Sequence, residues 1–286
     1  MKKPWAPWDM PDGTFQRVYD LLSVEDRRAM RGVSRKGKAL VNAHARSVNL
    51  APAGQCTHTL RKKDVKLLLD SGPMYQLSRL QCRYGSFGFM SAQRLVKAPS
   101  PRLRALDLAY SNLDARIVST LAGSDLRLTM EDLRLAASHV KLDEIVALSA
   151  VTWPALRRLD LSWCIGNEEP LERREAAADA LVAATPALQS LDVSHAFAFA
   201  ASCLARLAGW TQLDELRIVN MTSREGLPPA GACGGLKVLS LENSRVEDQD
   251  FVKFIASNSA TLESLSLAYC KVRGHVTVCY RRVLCM

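Results

Sequence analysis

Residues 153–164 read W-P-A-L-R-R-L-D-L-S-W-C, and the spacing within this stretch decides the fold. Leu156, Leu159 and Leu161 stand at the first, fourth and sixth positions of a phrase, and Cys164 stands at the ninth. Apolar residues two apart lie on one face of a strand. A small side chain three places further on suits a turn in which it sits inside and meets backbone groups. A single copy would be weak, because alternating leucines occur in many strands.

The phrase recurs. Marked by their first residue, copies begin at Leu77, Leu103, Met130, Leu156, Leu188, Leu213, Leu236 and Leu262, with spacings of 26, 27, 26, 32, 25, 23 and 26 residues. A degenerate copy starts at Ala45. The fourth and sixth positions are aliphatic in fifteen of sixteen cases, Cys82 being the exception, so the register is not accidental. Between phrases, helical spacing links Ile117, Val118 and Leu121; Leu142, Ile145, Val146 and Leu148; Leu204 and Leu207; and Phe251, Phe254 and Ile255. The 32-residue interval carries an Ala-rich, charged stretch, Glu168 to Ala184, which predicts a longer helix with Leu181 and Val182 toward the core. Gly226-Leu227-Pro228-Pro229 to Gly235 predicts an irregular loop instead.

These residues resemble the leucine-rich repeat pattern L-x-x-L-x-L-x-x-N/C. The lengths near 26, the ninth-position Cys164 and Cys270, and the lead-ins Pro154-Ala155-Leu156 and Pro186-Ala187-Leu188 resemble its cysteine-containing class. The resemblance implies an α/β solenoid, with parallel strands on the concave side and helices and loops on the convex side.

Ahead of the array, Phe15, Val18, Tyr19 and Leu22 make an amphipathic helix, Ser23 to Asp26 signals a second start, and Ala39 to Val41 suggests a short third helix. Arg27, Arg28, Arg31, Arg35, Lys36 and Lys38 make this part strongly basic. Three short helices bury too little surface to stand alone. M-P-D-x-x-x-x-x-V-x-x-L-L-S-V-E-D-R-R-A-M-R-x-V-S-R resembles an F-box, a three-helix module that binds the Skp-type adaptor of cullin-RING ubiquitin ligases. On that resemblance the adaptor contacts are Met10, Pro11, Phe15, Val18, Leu21, Leu22, Val24, Asp26, Arg27 and Val33. Gly37 stands where the family commonly has Trp. The other reading of the same helices is a cap over the open edge of the first repeat, which solenoids require.

The expected organisation is an F-box-like helical module over 1–44, a connecting or degenerate first repeat over 45–76, about eight repeats over 77–273 and an irregular tail over 274–286. The β-branched, unpolar ending fits a chain cut short of its last repeats. Residues 1–104 hold 20 Lys+Arg against 7 Asp+Glu, whereas the remainder hold 18 against 22, so the net charge of +9 belongs to the first third. That bias favours an acidic partner there and argues against nucleic acid wrapping the array.

By strand alternation the third, fifth and seventh positions face a partner and the eighth stands where the strand ends. The candidate target-binding set is Asp107, Tyr110, Arg134, Arg158, Asp160, Trp163, Asp192, His195, Arg217, Glu242 and Tyr269, with the small seventh column leaving room. Trp163 and Tyr269 read equally well as packing over neighbouring turns. No nucleophile elbow, phosphate loop, H-E-x-x-H or paired C-x-x-C occurs. The expectation is therefore a non-enzymatic subunit with no cofactor or metal, the substrate receptor of an SCF-type ligase or else a structural scaffold within a larger assembly. No run of about 18 apolar residues and no secretory leader pattern occurs, so cytoplasm or nucleus is the expected address.

Overall fold

The computed structural model describes residues 47–49, 77–84, 89–97, 103–111, 113, 115–164, 169–221, 235–246, 248–267 and 271–272. The F-box-like stretch, its ten adaptor positions, the loop after Ser223, Tyr269 and Cys270 lie outside these residues.

The repeat phrases become strands in register. β1 (Ser47–Asn49), β2 (Arg79–Gln81), β3 (Ala105–Asp107), β4 (Asp132–Arg134), β5 (Arg158–Asp160), β6 (Ser190–Asp192), β7 (Glu215–Arg217), β8 (Val238–Ser240) and β10 (Ser264–Ser266) form one nine-stranded sheet in chain order. Every pairing is parallel, and the fourth-position residues pair with one another from Val48↔Leu80 to Leu265↔Leu239. β1 falls at the third to fifth positions of the copy that starts at Ala45. A second, two-stranded parallel sheet joins β9 (Arg245–Val246) to β11 (Lys271–Val272).

Each strand of the nine-stranded sheet is three residues long because only the third to fifth positions are extended before the chain turns away. The chain then returns through α1 (Phe89–Lys97), α2 (Ala115–Ala122), α3 (Leu142–Ser149), α4 (Leu171–Ala184), α5 (Phe197–Leu204) or α6 (Asp248–Asn258), with 3₁₀ turns at Asp125–Leu128 and Leu207–Gly209. Parallel neighbours need such crossovers, and α1 to α5 pack successively beside one another on the far side of the strands. The result is an α/β leucine-rich repeat solenoid.

The core lies between the two layers. The fourth- and sixth-position residues from Leu80 and Cys82 to Leu239 and Leu241 are all buried. Ile117, Val118 and Leu121 of α2, Leu142, Ile145 and Leu148 of α3, and Leu181 of α4 meet them there, with Val182 packed against the rim. Val146 corrects the helical pattern: it sits on the outer side of α3 and is exposed.

Many buried polar groups are satisfied between repeats. Ninth-position side chains reach back to the sixth-position carbonyl of the preceding repeat: Ser111 Oγ donates to Cys82 O (2.8 Å), Ser138 Oγ to Leu108 O (2.7 Å), Cys164 Sγ to Leu135 O (3.1 Å) and Ser244 Oγ to Ile218 O (3.2 Å). Backbone bonds run the other way, from each sixth-position N–H to the fifth-position carbonyl of the next repeat, as in Leu161 N–H to Asp192 O (2.8 Å). Two tryptophans sit under the helices with their indole N–H groups paired. Trp153 donates to Leu148 O (2.8 Å) and Trp210 to Thr185 Oγ1 (2.9 Å).

Candidate protein-interaction surface

The eighth position of the phrase is where sequence and backbone meet most tightly. Tyr84, Tyr110, Ala137, Trp163, His195, Asn220 and Asn243 all have positive φ, between 51° and 62°. For a residue with a Cβ this left-handed conformation costs on the order of 1 kcal/mol. It persists because the eighth-position N–H groups from Tyr84 to Asn220 are thereby aimed at the seventh-position carbonyl of the next repeat, as in Tyr110 to Ala136 O (2.7 Å) and Asn220 to Glu242 O (2.8 Å). The same turn throws the side chains outward, at the downstream end of the strands.

They form a ladder. Tyr84 and Tyr110 stack with centroids 4.8 Å apart at 14°, and Trp163 stacks on His195 at 3.7 Å and 15°. Asn220 Nδ2 lies 3.3 Å from His195 Nδ1, and Asn243 Nδ2 donates to Asn220 Oδ1 (3.1 Å). Trp163 thus covers the neighbouring turn and still remains 58% exposed, with Tyr110 at 50% and Tyr84 at 48%. Desolvation holds His195 below the usual imidazole range, against the pull of Asp192.

The fifth column differs from its sequence reading, because its aspartates brace turns. Asp107 is buried: Oδ2 accepts Arg83 Nε (2.6 Å) and Oδ1 accepts the Ala109 N–H (3.1 Å). Asp160 Oδ1 accepts the Ser162 N–H (3.0 Å) and hydroxyl (2.7 Å), and Asp192 Oδ1 accepts the Ser194 N–H (2.9 Å). Each carboxylate satisfies a backbone amide two residues on. Burial pushes the Asp160 carboxyl above its ordinary range, the Ser162 hydrogen bonds oppose this, and Asp192 next to it adds to the rise.

Arg134 makes a two-pronged bond to Asp132, both arms 3.0 Å, which together with the surrounding aspartates holds it above the usual guanidinium range. Arg217 is turned onto Glu215 (2.7 Å). Glu242 Oε1 accepts Ser266 Oγ (2.7 Å) and Ser240 Oγ (3.3 Å). The seventh column is small but buried at Ala109, Ala136, Ser162 and Ser194, so it lies beneath the surface and leaves no open room. Arg158 is exposed on the strand face.

The candidate set takes Arg158 from the third column but leaves out Arg79 of that column and Arg104 and Arg157 of the second. At the upstream end of the strands Arg79, Arg104, Arg157 and Arg158 join Glu131 and Asp132 around a cleft of about 350 Å³. Strand alternation predicts that third-position side chains point out, so tabulating that column is the signal that finds the cleft.

No family model matches the chain, and no curated protein matches it. Among solved structures the chain is similar to an internalin (inlF) from Listeria monocytogenes, at 14% identity and a TM-score of 0.39 over 95% of this chain and 87% of that one. It is similar to the yeast Rad7 and Elc1 complex at 15% identity and a TM-score of 0.46, over 90% of this chain and 76% of that one. The TLR13–ssRNA13 complex shows 17% identity and a TM-score of 0.43, over 79% of this chain and 35% of that one. The fold assignment rests on the chain's own strand register and buried columns. No helix among the described residues is long and apolar enough to cross a membrane.

Proposed function

We propose that this chain is a non-enzymatic protein-interaction subunit that holds a partner protein against its strand face and the ring ladder at its downstream end. The observation that carries this is the ladder itself. Tyr84, Tyr110 and Trp163 keep about half their surface in water on rigid, left-handed turns. Large rings fixed in advance gain contact area on binding with little loss of side-chain freedom, which is why Trp and Tyr dominate binding hot spots.

Joined to the F-box resemblance, the finer reading is the substrate receptor of an SCF-type cullin-RING ligase. The N-terminal helices would hold a Skp-type adaptor through Met10, Pro11, Phe15, Val18, Leu21, Leu22, Val24, Asp26, Arg27 and Val33, and the repeats would select the target in the cytoplasm or nucleus. The resemblance in those residues supports it. A pull-down with a Skp-type adaptor tests it: the unmutated chain is expected to bind, and Pro11→Glu with Leu22→Glu to abolish binding. Failure of the unmutated chain to bind refutes the receptor reading and leaves the scaffold, in which the helices serve only as a cap.

A further inference from the structure

From β2 to β6 the eighth column carries a ring on every repeat except one. Tyr84, Tyr110, Trp163 and His195 supply rings, whereas Ala137, on the repeat of β4, supplies only a methyl group. The backbone of that rung is the same as its neighbours': φ is 51° at Ala137, 57° at Tyr110 and 58° at Trp163. Its N–H reaches Ser162 O (2.8 Å), just as Tyr110 N–H reaches Ala136 O (2.7 Å) and Trp163 N–H reaches Ser194 O (2.8 Å). Backbone bonds therefore hold the floor and both walls of a slot before anything enters it.

The spacing sets what fits. Tyr110 is stacked on Tyr84 and Trp163 on His195, so each keeps one face for the side of β4, and each residue remains about half exposed. Turns two strands apart are separated by about 9.6 Å. A ring on the vacant rung would lie about 4.8 Å from each wall, inside the range of about 4.5–7 Å for aromatic pairs. Tyr84 and Tyr110 already pair at 4.8 Å, so rings carried at strand spacing do stack on this surface. The closure of Trp163 onto His195 at 3.7 Å widens the slot by about 1 Å at most, which stays within that range.

Other side chains match the slot less well. An aliphatic group has no flat face to lay against both walls. A cation can sit over ring faces, but from Tyr84 to Asn243 the column holds no carboxylate to balance it, and charge drawn from water without a partner is costly. We propose that an aromatic side chain of the partner protein inserts between Tyr110 and Trp163 and completes the ladder over Ala137. The inference rests on reading the ladder as a partner-binding surface and names the residue class that this surface selects.

The test uses the full chain and a probe with a single side chain, acetyl-Gly-Gly-X-Gly-Gly-amide with para-fluorophenylalanine at X, titrated in fluorine NMR. The fluorine line is expected to move upfield and to saturate, because a ring between two rings is shielded by both. Probes with Leu or Arg at X should need about tenfold more peptide to displace it. Ala137→Tyr fills the slot from within, on the conformation that already carries Tyr at residues 84 and 110, and should abolish the shift. Tyr110→Leu and Trp163→Leu should each weaken binding about threefold or more. Val146→Ser, on the exposed outer side of α3, should leave it unchanged.

A fluorine line that never saturates overturns the proposal. So does a shift that survives Ala137→Tyr in a chain whose urea unfolding matches the parent. Should that variant fail to fold, the two leucine variants decide, and unchanged binding in both overturns the proposal. An arginine probe that displaces the ring more readily than unlabelled phenylalanine does assigns the slot to a cation and also overturns it. The adaptor pull-down does not involve this slot, so a chain that captures the adaptor but leaves the fluorine line unmoved loses only this inference.

Discussion

Cys164 allows the repeat-to-repeat hydrogen bonds to be tested by chemistry instead of by truncation. Its side chain is 2% exposed, its Sγ donates to Leu135 O at 3.1 Å, and Ser111 and Ser138 make the corresponding bond in the two repeats before it. Cys164→Ser puts into this repeat the group its neighbours already use. The smaller oxygen leaves roughly 10 Å³ empty, worth about 0.25 kcal/mol at about 24 cal/mol per Å³. The hydroxyl forms a better bond than the thiol, a gain of up to about 1 kcal/mol. The serine variant should therefore lie within about 1 kcal/mol of the parent.

Cys164→Ala removes both volume and donor. The cavity costs about 0.5 kcal/mol, and a buried carbonyl without its donor costs about 1–3 kcal/mol, so the alanine variant should lose about 2 kcal/mol. Cys164→Val restores volume without a donor and should stay close to alanine. Urea unfolding followed by tryptophan fluorescence measures the order. Since repeats couple chiefly to their neighbours, amide exchange over residues 135–140 should accelerate most in the alanine and valine variants. If serine proves as costly as alanine, or valine proves neutral, the column acts by filling space and the hydrogen-bond account is refuted.

Gly209 ends the 3₁₀ turn after α5, and an added Cβ would fall 2.3 Å from Val182 Cγ1. Gly209→Ala should lower stability by about 1–3 kcal/mol, and Val182→Ala in the same chain should recover part of the loss, read from melting of the three variants. Asp160 has its carboxyl raised by burial, so the folded state binds a proton more readily than the unfolded one, and stability is lost as pH rises through the folded value. Asp160→Asn keeps an acceptor for Ser162 and should melt above the parent at pH 7, with the gap closing toward pH 4. Burial pushes the Cys82 and Cys164 thiols up to about 12 and raises Cys203 as well, so these three should resist iodoacetamide at pH 8 in the native protein and react in denaturant, as mass spectrometry of the labelled peptides would show.

The solenoid was legible because its signal repeats. A pair of leucines two apart says little, but eight pairs in one register leave few alternatives, and β1 was visible as the copy at Ala45 even though that copy is degenerate. Helix α4 was legible from its alanines and charges, starting at Leu171 rather than Glu168. Side-chain duty was harder to read. Alternation puts Asp107, Asp160 and Asp192 on one side of their strands, but it is blind to the local turn, in which a carboxylate reaches the amide two residues on and is occupied there. Ninth-position serines were overlooked for a related reason: the pattern names Asn and Cys, whereas the physical requirement is any small donor that reaches the sixth-position carbonyl. The left-handed φ of the eighth column has a compositional mark only at His195, Asn220 and Asn243, since Tyr, Trp and Ala are not residues that favour it. It is imposed by the backbone bond to the next repeat.

That imposed conformation links the two ends of the strand face. Strand spacing is about 4.8 Å, and Tyr84 and Tyr110 stack at that same distance, whereas Trp163 and His195 close to 3.7 Å. The two pairs belong to β2–β3 and β5–β6, and the repeat between them contributes only the methyl group of Ala137. Tyr110 has one face on Tyr84 and Trp163 has one face on His195, so their remaining faces look toward each other across Ala137, two strand spacings apart. The ring ladder is therefore interrupted over β4, within the same span of strands, β2 to β5, whose upstream end holds the arginine cleft. A partner segment lying along β4 would meet guanidiniums at one end and ring faces at the other, about the length of one strand away. Guanidiniums favour an anionic group at the first end and flat rings an apolar one at the second, so a segment seated there would have one favoured direction.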